Sequence, residues 1–219
     1  MPRVSFLAAC AGATVLLLSG QTLPKDNSSP SVGVFMDFDR DSAPGADSLE
    51  VMKKEVEELL KPSGVSLNWR LAKENNGNQA FAGLVVVKFK GKCRVEGWNS
   101  PQGTDFGSLG EVTRLGATQV SGGKVLPYSE VECDQIQKAL AYLPPGAGQK
   151  ERQRAMGVAL GRVVAHELYH VLASTTGHAA RGLAKASQSL EDLIGPMQTG
   201  FDARDSRAIG EGFTPTPKK

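Results

Sequence analysis

Residues 150–173 read KERQRAMGVALGRVVAHELYHVLA and run into Ser174-Thr175-Thr176-Gly177-His178. Met156, Leu160, Val163, Val164, Leu168, Val171 and Leu172 recur at the three- and four-residue spacing of a helix face, so the stretch predicts one long helix. Residues 174–177 break it, because three poor helix formers lead to Gly177, a residue suited to the left-handed position that closes a helix. Within the helix lies His166-Glu167-Leu168-Tyr169-His170, an HExxH motif. Positions i and i+4 lie one above the other on the same face, so His166 and His170 can share one metal ion. Glu167, on a neighbouring face, can reach a metal-bound water and act as general base without occupying the metal. Zn²⁺ suits this chemistry, since it lowers the pKa of bound water towards about 7 and polarises carbonyls. All three histidines of the chain fall between residues 166 and 178. The competing reading is a chance match on an ordinary amphipathic helix; the scarcity of histidine elsewhere and the flanking valines favour a metal site.

Upstream of the helix the patterning is mixed. Residues 32–38 (VGVFMDF) read as a first strand, and 46–60 carry Leu49, Met52, Val56, Leu59 and Leu60 at helical spacing before Pro62-Ser63-Gly64. Residues 65–69 alternate as a second strand, and 84–89 (LVVVKF) form a strongly β-prone third. Strand–helix–strand–strand opens an α/β or α+β domain. Residues 99–110, rich in Gly, Ser and Pro, read as an irregular loop. A hairpin follows, 117–120 and 125–128 around Ser121-Gly122-Gly123-Lys124, with Pro127 demoting the second arm to an edge strand or an irregular segment. A short helix is expected over 134–142 and a last amphipathic helix over 183–194, with a frayed tail from Gly210.

The N-terminus reads as an address. Arg3, an uncharged apolar run over 4–18 and the small residues Ser19-Gly20 make a secretory signal over 1–20, followed by a polar linker over 21–31. Leu7-Ala8-Ala9-Cys10 superficially matches a lipoprotein box, but the apolar run continues well past Cys10. The run is short for a stable membrane span, which needs about 20 residues, so a cleaved signal is the favoured reading and an uncleaved anchor the alternative. The domain is therefore expected over 32–200 with a tail over 201–219, exported to the periplasm or the cell exterior. Cleavage leaves Cys93 and Cys133, an even pair that an oxidising compartment favours as a disulfide; two buried thiols are the alternative.

Composition narrows the classes further. With 25 Lys+Arg against 23 Asp+Glu in 219 residues, the formal charge of +2 is no electrostatic footprint for nucleic acid. Aromatics at 6% offer no stacking platform either. The length supports one domain with a real core.

With HELYH on such a helix, the chain resembles the zincin metallopeptidases, and its order of elements is most similar to a metzincin-type core. The resemblance covers roughly residues 32–197, but only the motif and its helix are specific. It implies an α+β fold, with a mixed sheet carrying one antiparallel edge strand packed on the active-site helix. It also implies His166 and His170 as ligands, Glu167 as base, and the strand ending near Tyr128 as a substrate-binding edge. The third ligand departs from the metzincin pattern HExxHxxGxxH: Ala173 stands at the Gly position and Thr176 at the His position, with Gly177 and His178 beyond. On an unbroken helix His178 would lie about 12 Å further along the axis, so it can coordinate only if the chain turns back. His178 is the expected third ligand. Glu191 on the following helix and Cys133 upstream are alternatives, as is His178 as a plain surface residue. Met197 would match the methionine turn of that family, although a core filler is the simpler reading. Tyr128 or Tyr169 is a candidate donor to an oxyanion, and otherwise a packing residue. Gly157 and Gly161 suggest close packing of the helix on the sheet, and Arg181 with Lys185 a solvated face.

These readings converge on an exported zinc metallopeptidase acting on a peptide or protein. A non-catalytic zinc-stabilised binding module and a metal-dependent amidase for non-peptide amides are the alternatives. Cleavage specificity and oligomeric state are not legible in the sequence.

Overall fold

The computed structural model describes residues 31–39, 41–74, 81–95, 114–141, 143–144, 146–195 and 200–213. The signal segment, nearly all of the linker, the loop at 99–110, Tyr142 and Met197 lie outside them. The elements in chain order are β1 (Ser31–Phe38), α1 (Ala46–Leu60), β2 (Ser66–Leu71), β3 (Gly83–Lys90), β4 (Gly116–Ser121), β5 (Lys124–Glu132), α2 (Cys133–Leu140), α3 (Gln149–Leu172), α4 (Leu190–Ile194) and α5 (Ala203–Phe213). The fold is α+β: one mixed sheet of order β2-β1-β3-β5-β4, parallel except for β4, which is antiparallel to β5 at one edge. Among the described residues no helix is long and apolar enough to cross a membrane.

Strand alternation explains which face carries the core. On β3, Val85, Val87 and Phe89 are buried, while Lys88 and Lys90 turn to the other face. There Lys88 pairs with Asp37 and Asp39, and Lys90 with Glu130 and Glu132, so the described part of that face is laced with charge. α3 runs through the middle of the helical layer and is buried nearly all round from Ala155 to Leu172.

Several expectations are corrected. Gly157 and Gly161 serve the contact with α1 and not with the sheet: a Cβ at Gly157 would stand 2.6 Å from the Ser48 carbonyl oxygen, and one at Gly161 2.7 Å from Glu55 Cβ. Between the same helices, buried Arg162 pairs with Glu55 at 2.8 Å and donates to the Asp192 carbonyl. β5 is an inner strand, not an edge. It runs through Pro127, which falls where the β4–β5 register shifts and just before the pairing to β3 begins at Tyr128. The antiparallel edge is β4.

The helix expected over 183–194 contracts to α4. Ser189 and Asp192 form a capping box that starts the helix there, while Leu183 and Ala184 are buried in an extended turn bridged between Ala179 and Lys185. Lys185, expected on a solvated face, pairs with Asp192. The expected tail contains α5, capped by Asp202 and burying Ile209. Its glycines hid it from a propensity reading; Gly212 is there because a Cβ would run into the Leu172 carbonyl oxygen. Cys93 and Cys133 are joined by a disulfide, with Cα atoms 4.9 Å apart, tying the end of β3 to the start of α2.

Candidate metal centre

The end of α3 decides the site. Ser174, not Gly177, takes the left-handed conformation (φ 49°). Thr175 N–H then donates to the His170 carbonyl at 3.0 Å and Ser174 N–H to the Val171 carbonyl at 3.2 Å, the paired bonds of a Schellman ending. The chain turns back on itself and carries His178 over the ligand face of the helix. His178 stacks on His166 (ring centroids 5.4 Å apart) and meets His170 edge-on (4.7 Å). One ring nitrogen from each of the three histidines lies within 4.8 Å of the others.

The same turn orients the rings. His170 Nδ1 lies 2.8 Å from the Thr175 carbonyl, and His166 Nδ1 lies 2.7 Å from the Leu183 carbonyl. A carbonyl only accepts, so both Nδ1 atoms carry the proton and both Nε2 atoms present lone pairs. Those two Nε2 atoms face each other at 3.1 Å. Two lone pairs so close repel unless a cation lies between them. Two Zn–N bonds of about 2.0–2.1 Å at a tetrahedral angle span about 3.3 Å, so the pair fits a shared ion. Backbone carbonyls behind ligand imidazoles are the usual outer support of such a site. The three-imidazole set suits zinc and its first-row neighbours.

Burial favours the ligand form. Desolvation pushes His166 down to about 4 against the pull of the Leu183 carbonyl, with His170 and His178 adding to the fall. His170 is lowered for the same leading reason. Neutral imidazoles, which metals bind, are therefore the stable form at neutral pH.

Glu167 stands beside the cluster, only 4% exposed. Its Oε2 accepts from Thr118 Oγ1 at 2.7 Å, and Thr118 Oγ1 in turn lies 2.9 Å from the buried Ser129 hydroxyl. Its Oε1 abuts Gly116, where a Cβ would come within 2.7 Å. Burial pushes Glu167 up to about 7, opposed by the Thr118 hydroxyl and the charge of Arg114. A carboxyl poised there can take or give a proton near neutrality.

The histidines and Glu167 line a cleft of about 410 Å³ whose opposite wall is β4. Leu115 spends its carbonyl on Glu132 N–H of β5, so the alternating backbone turns Gly116 and Thr118 towards the open edge. Of the other sequence candidates, Cys133 is consumed in the disulfide, and Glu191 is exposed on α4 outside the cluster. Neither Tyr128 nor Tyr169 lines the cleft; Tyr169 stacks against Phe201 and meets His170 at a tilt. Arg114, Gly116, Thr118 and the Leu183 carbonyl were not found from sequence. A strand assignment covers Thr118, but nothing in its spacing points to a carboxylate 49 residues on.

Compared with protein families, with curated proteins and with solved structures, the chain matches none.

Proposed function

We propose that the chain is an exported, zinc-dependent metallopeptidase of zincin type, with His166, His170 and His178 as metal ligands and Glu167 as general base. One observation carries the reading: two oriented imidazoles present facing Nε2 atoms 3.1 Å apart, beside a buried carboxylate in an open cleft. Zinc held by three imidazoles supplies Lewis acidity, polarising a carbonyl and making water acidic enough to lose a proton near pH 7. Glu167 accepts that proton at Oε1, the oxygen that Thr118 leaves free, and returns it to the departing amine. Thr118 and Ser129 hold the carboxylate in place, and Gly116 leaves room for it. The open edge of β4 supports an extended peptide as substrate, since it can add as a further strand and lay its scissile bond across the cluster. The Cys93–Cys133 disulfide and the apolar N-terminal segment support export.

The test is metal content by mass spectrometry on purified wild type beside His178→Ala, followed by turnover of wild type and Glu167→Gln on a broad peptide library. The reading expects about one zinc per chain, strongly weakened in His178→Ala, and turnover lost in Glu167→Gln with zinc still bound. Wild type that takes up no zinc when it is offered, or a fully loaded protein that cuts nothing, overturns it.

A further inference from the structure

We propose that Arg114 is a specificity residue that selects substrates carrying a carboxylate close to the scissile bond, an acidic side chain or a free C-terminus. The inference deepens the peptidase reading and rests on it. Arg114 is the one Lys or Arg among the described residues lining the cleft. Its Nε donates to the Gly116 carbonyl at 3.2 Å, which curls the side chain back towards the edge strand, and among the described residues the terminal guanidinium nitrogens have no hydrogen-bond partner. Among the described residues it has no carboxylate partner in an ion pair. An exposed arginine in water needs no partner; one pinned by its own strand at the rim of a cleft is already ordered for an incoming anion.

Position and charge agree. Gly116 abuts Glu167, and Arg114, just before β4, is held by its Nε on the Gly116 carbonyl, so its guanidinium stands at the end of the edge strand that faces Glu167. A peptide added to β4 with its scissile bond at Glu167 therefore brings a residue one or two positions away under the guanidinium. The rest of the lining does not compete for the anion. Val120, Val125, Val163, Ala117 and Ala186 are small and apolar, and Glu167, the one carboxylate among the described lining residues, has its Oε2 on the Thr118 hydroxyl. A bound dication adds positive charge of its own, so the cleft as a whole favours an anionic partner.

The experiment is cleavage-site profiling of a proteome-derived peptide library by zinc-loaded protein, with zinc per chain measured alongside. Wild type, Arg114→Gln, Arg114→Lys and Arg114→Glu are compared, and a C-amidated copy of the library separates side-chain from terminal carboxylates. Expected is enrichment of Asp, Glu or a free C-terminus within two positions of the cut. That enrichment should fall at least about tenfold in Arg114→Gln, as loss of a charge-assisted hydrogen bond implies, survive in part in Arg114→Lys, and turn towards Lys and Arg in Arg114→Glu. Cuts without acidic enrichment, or enrichment unchanged in Arg114→Gln, overturn the assignment. So does a uniform loss of rate over all sequences, which would place Arg114 in transition-state stabilisation. A fully loaded wild type that cuts nothing fails earlier, at the peptidase reading itself.

Discussion

Replacing Glu167 by Gln should stabilise the chelator-treated protein, and only above mildly acidic pH. Burial holds the Glu167 carboxyl at about 7 in the fold against 4.5 as its ordinary value. An acid whose folded pKa is raised binds its proton more tightly in the native state, so stability falls as pH rises from 4.5 to 7 and the full loss is present above 7. Two and a half units at 1.36 kcal/mol each make that loss about 3 kcal/mol. Gln fills the same space and can still accept from Thr118, but it never ionises. The stability difference between Glu167→Gln and wild type should therefore be near zero at pH 4.5 and grow to about 3 kcal/mol by pH 8, worth several degrees in Tm for a chain of this size. His166, pushed down to about 4, has the opposite slope, losing stability as pH falls below 6.5, but it does so in both proteins and cancels in the difference. Urea titrations at half-unit steps from pH 4.5 to 8.5 measure the quantity directly. A difference that does not change with pH would refute the reasoning, because Glu167 would then be solvated and not held in the buried setting described here. Such a stored cost is what a buried carboxylate, proposed here as a general base, exacts from its fold.

Three further outcomes follow from the same geometry. Ring-nitrogen NMR of the chelator-treated protein should show His166 neutral and Nδ1-protonated at pH 6, with its charge appearing only towards pH 4; a midpoint near 6.5 would show that the ring is not desolvated. Gly157→Ala ought to lower Tm by a few degrees: helix propensity alone offers a gain of about 1 kcal/mol, but the new methyl meets the Ser48 carbonyl, and overpacking costs about 1–3 kcal/mol. A rise in Tm would mean that α1 and α3 are less tightly apposed. Ser174→Gly should raise stability by roughly 0.5–1 kcal/mol by relieving the left-handed strain while leaving zinc affinity within about twofold; loss of metal would show that the serine side chain, and not the backbone turn, places His178.

What the chain made legible by itself is what short-range patterning carries. HELYH on an apolar helix placed two candidate ligands and a carboxylate on adjacent faces, because helical geometry repeats within one turn. Strand alternation placed β1, β2, β3 and the β4–β5 hairpin to within a few residues, and the even cysteine pair left by the expected signal cleavage pointed to the bond that is found. The remainder depended on partners far apart in sequence. Which strand forms the edge was decided by β5 slipping between β3 and β4 past Pro127, and α5 by packing Gly212 against the end of α3 and Gly210 against Ser63. His178 reached its place because one non-glycine residue, Ser174, adopts a backbone conformation that local propensity disfavours and only the surrounding contacts can hold. The Thr118 hydroxyl that grips Glu167, the Ser129 hydroxyl behind it and the carbonyl that orients His166 come from other segments, and their effect is that of desolvation and close approach. Those quantities exist only once the chain has excluded water, so no spacing rule written along the sequence contains them.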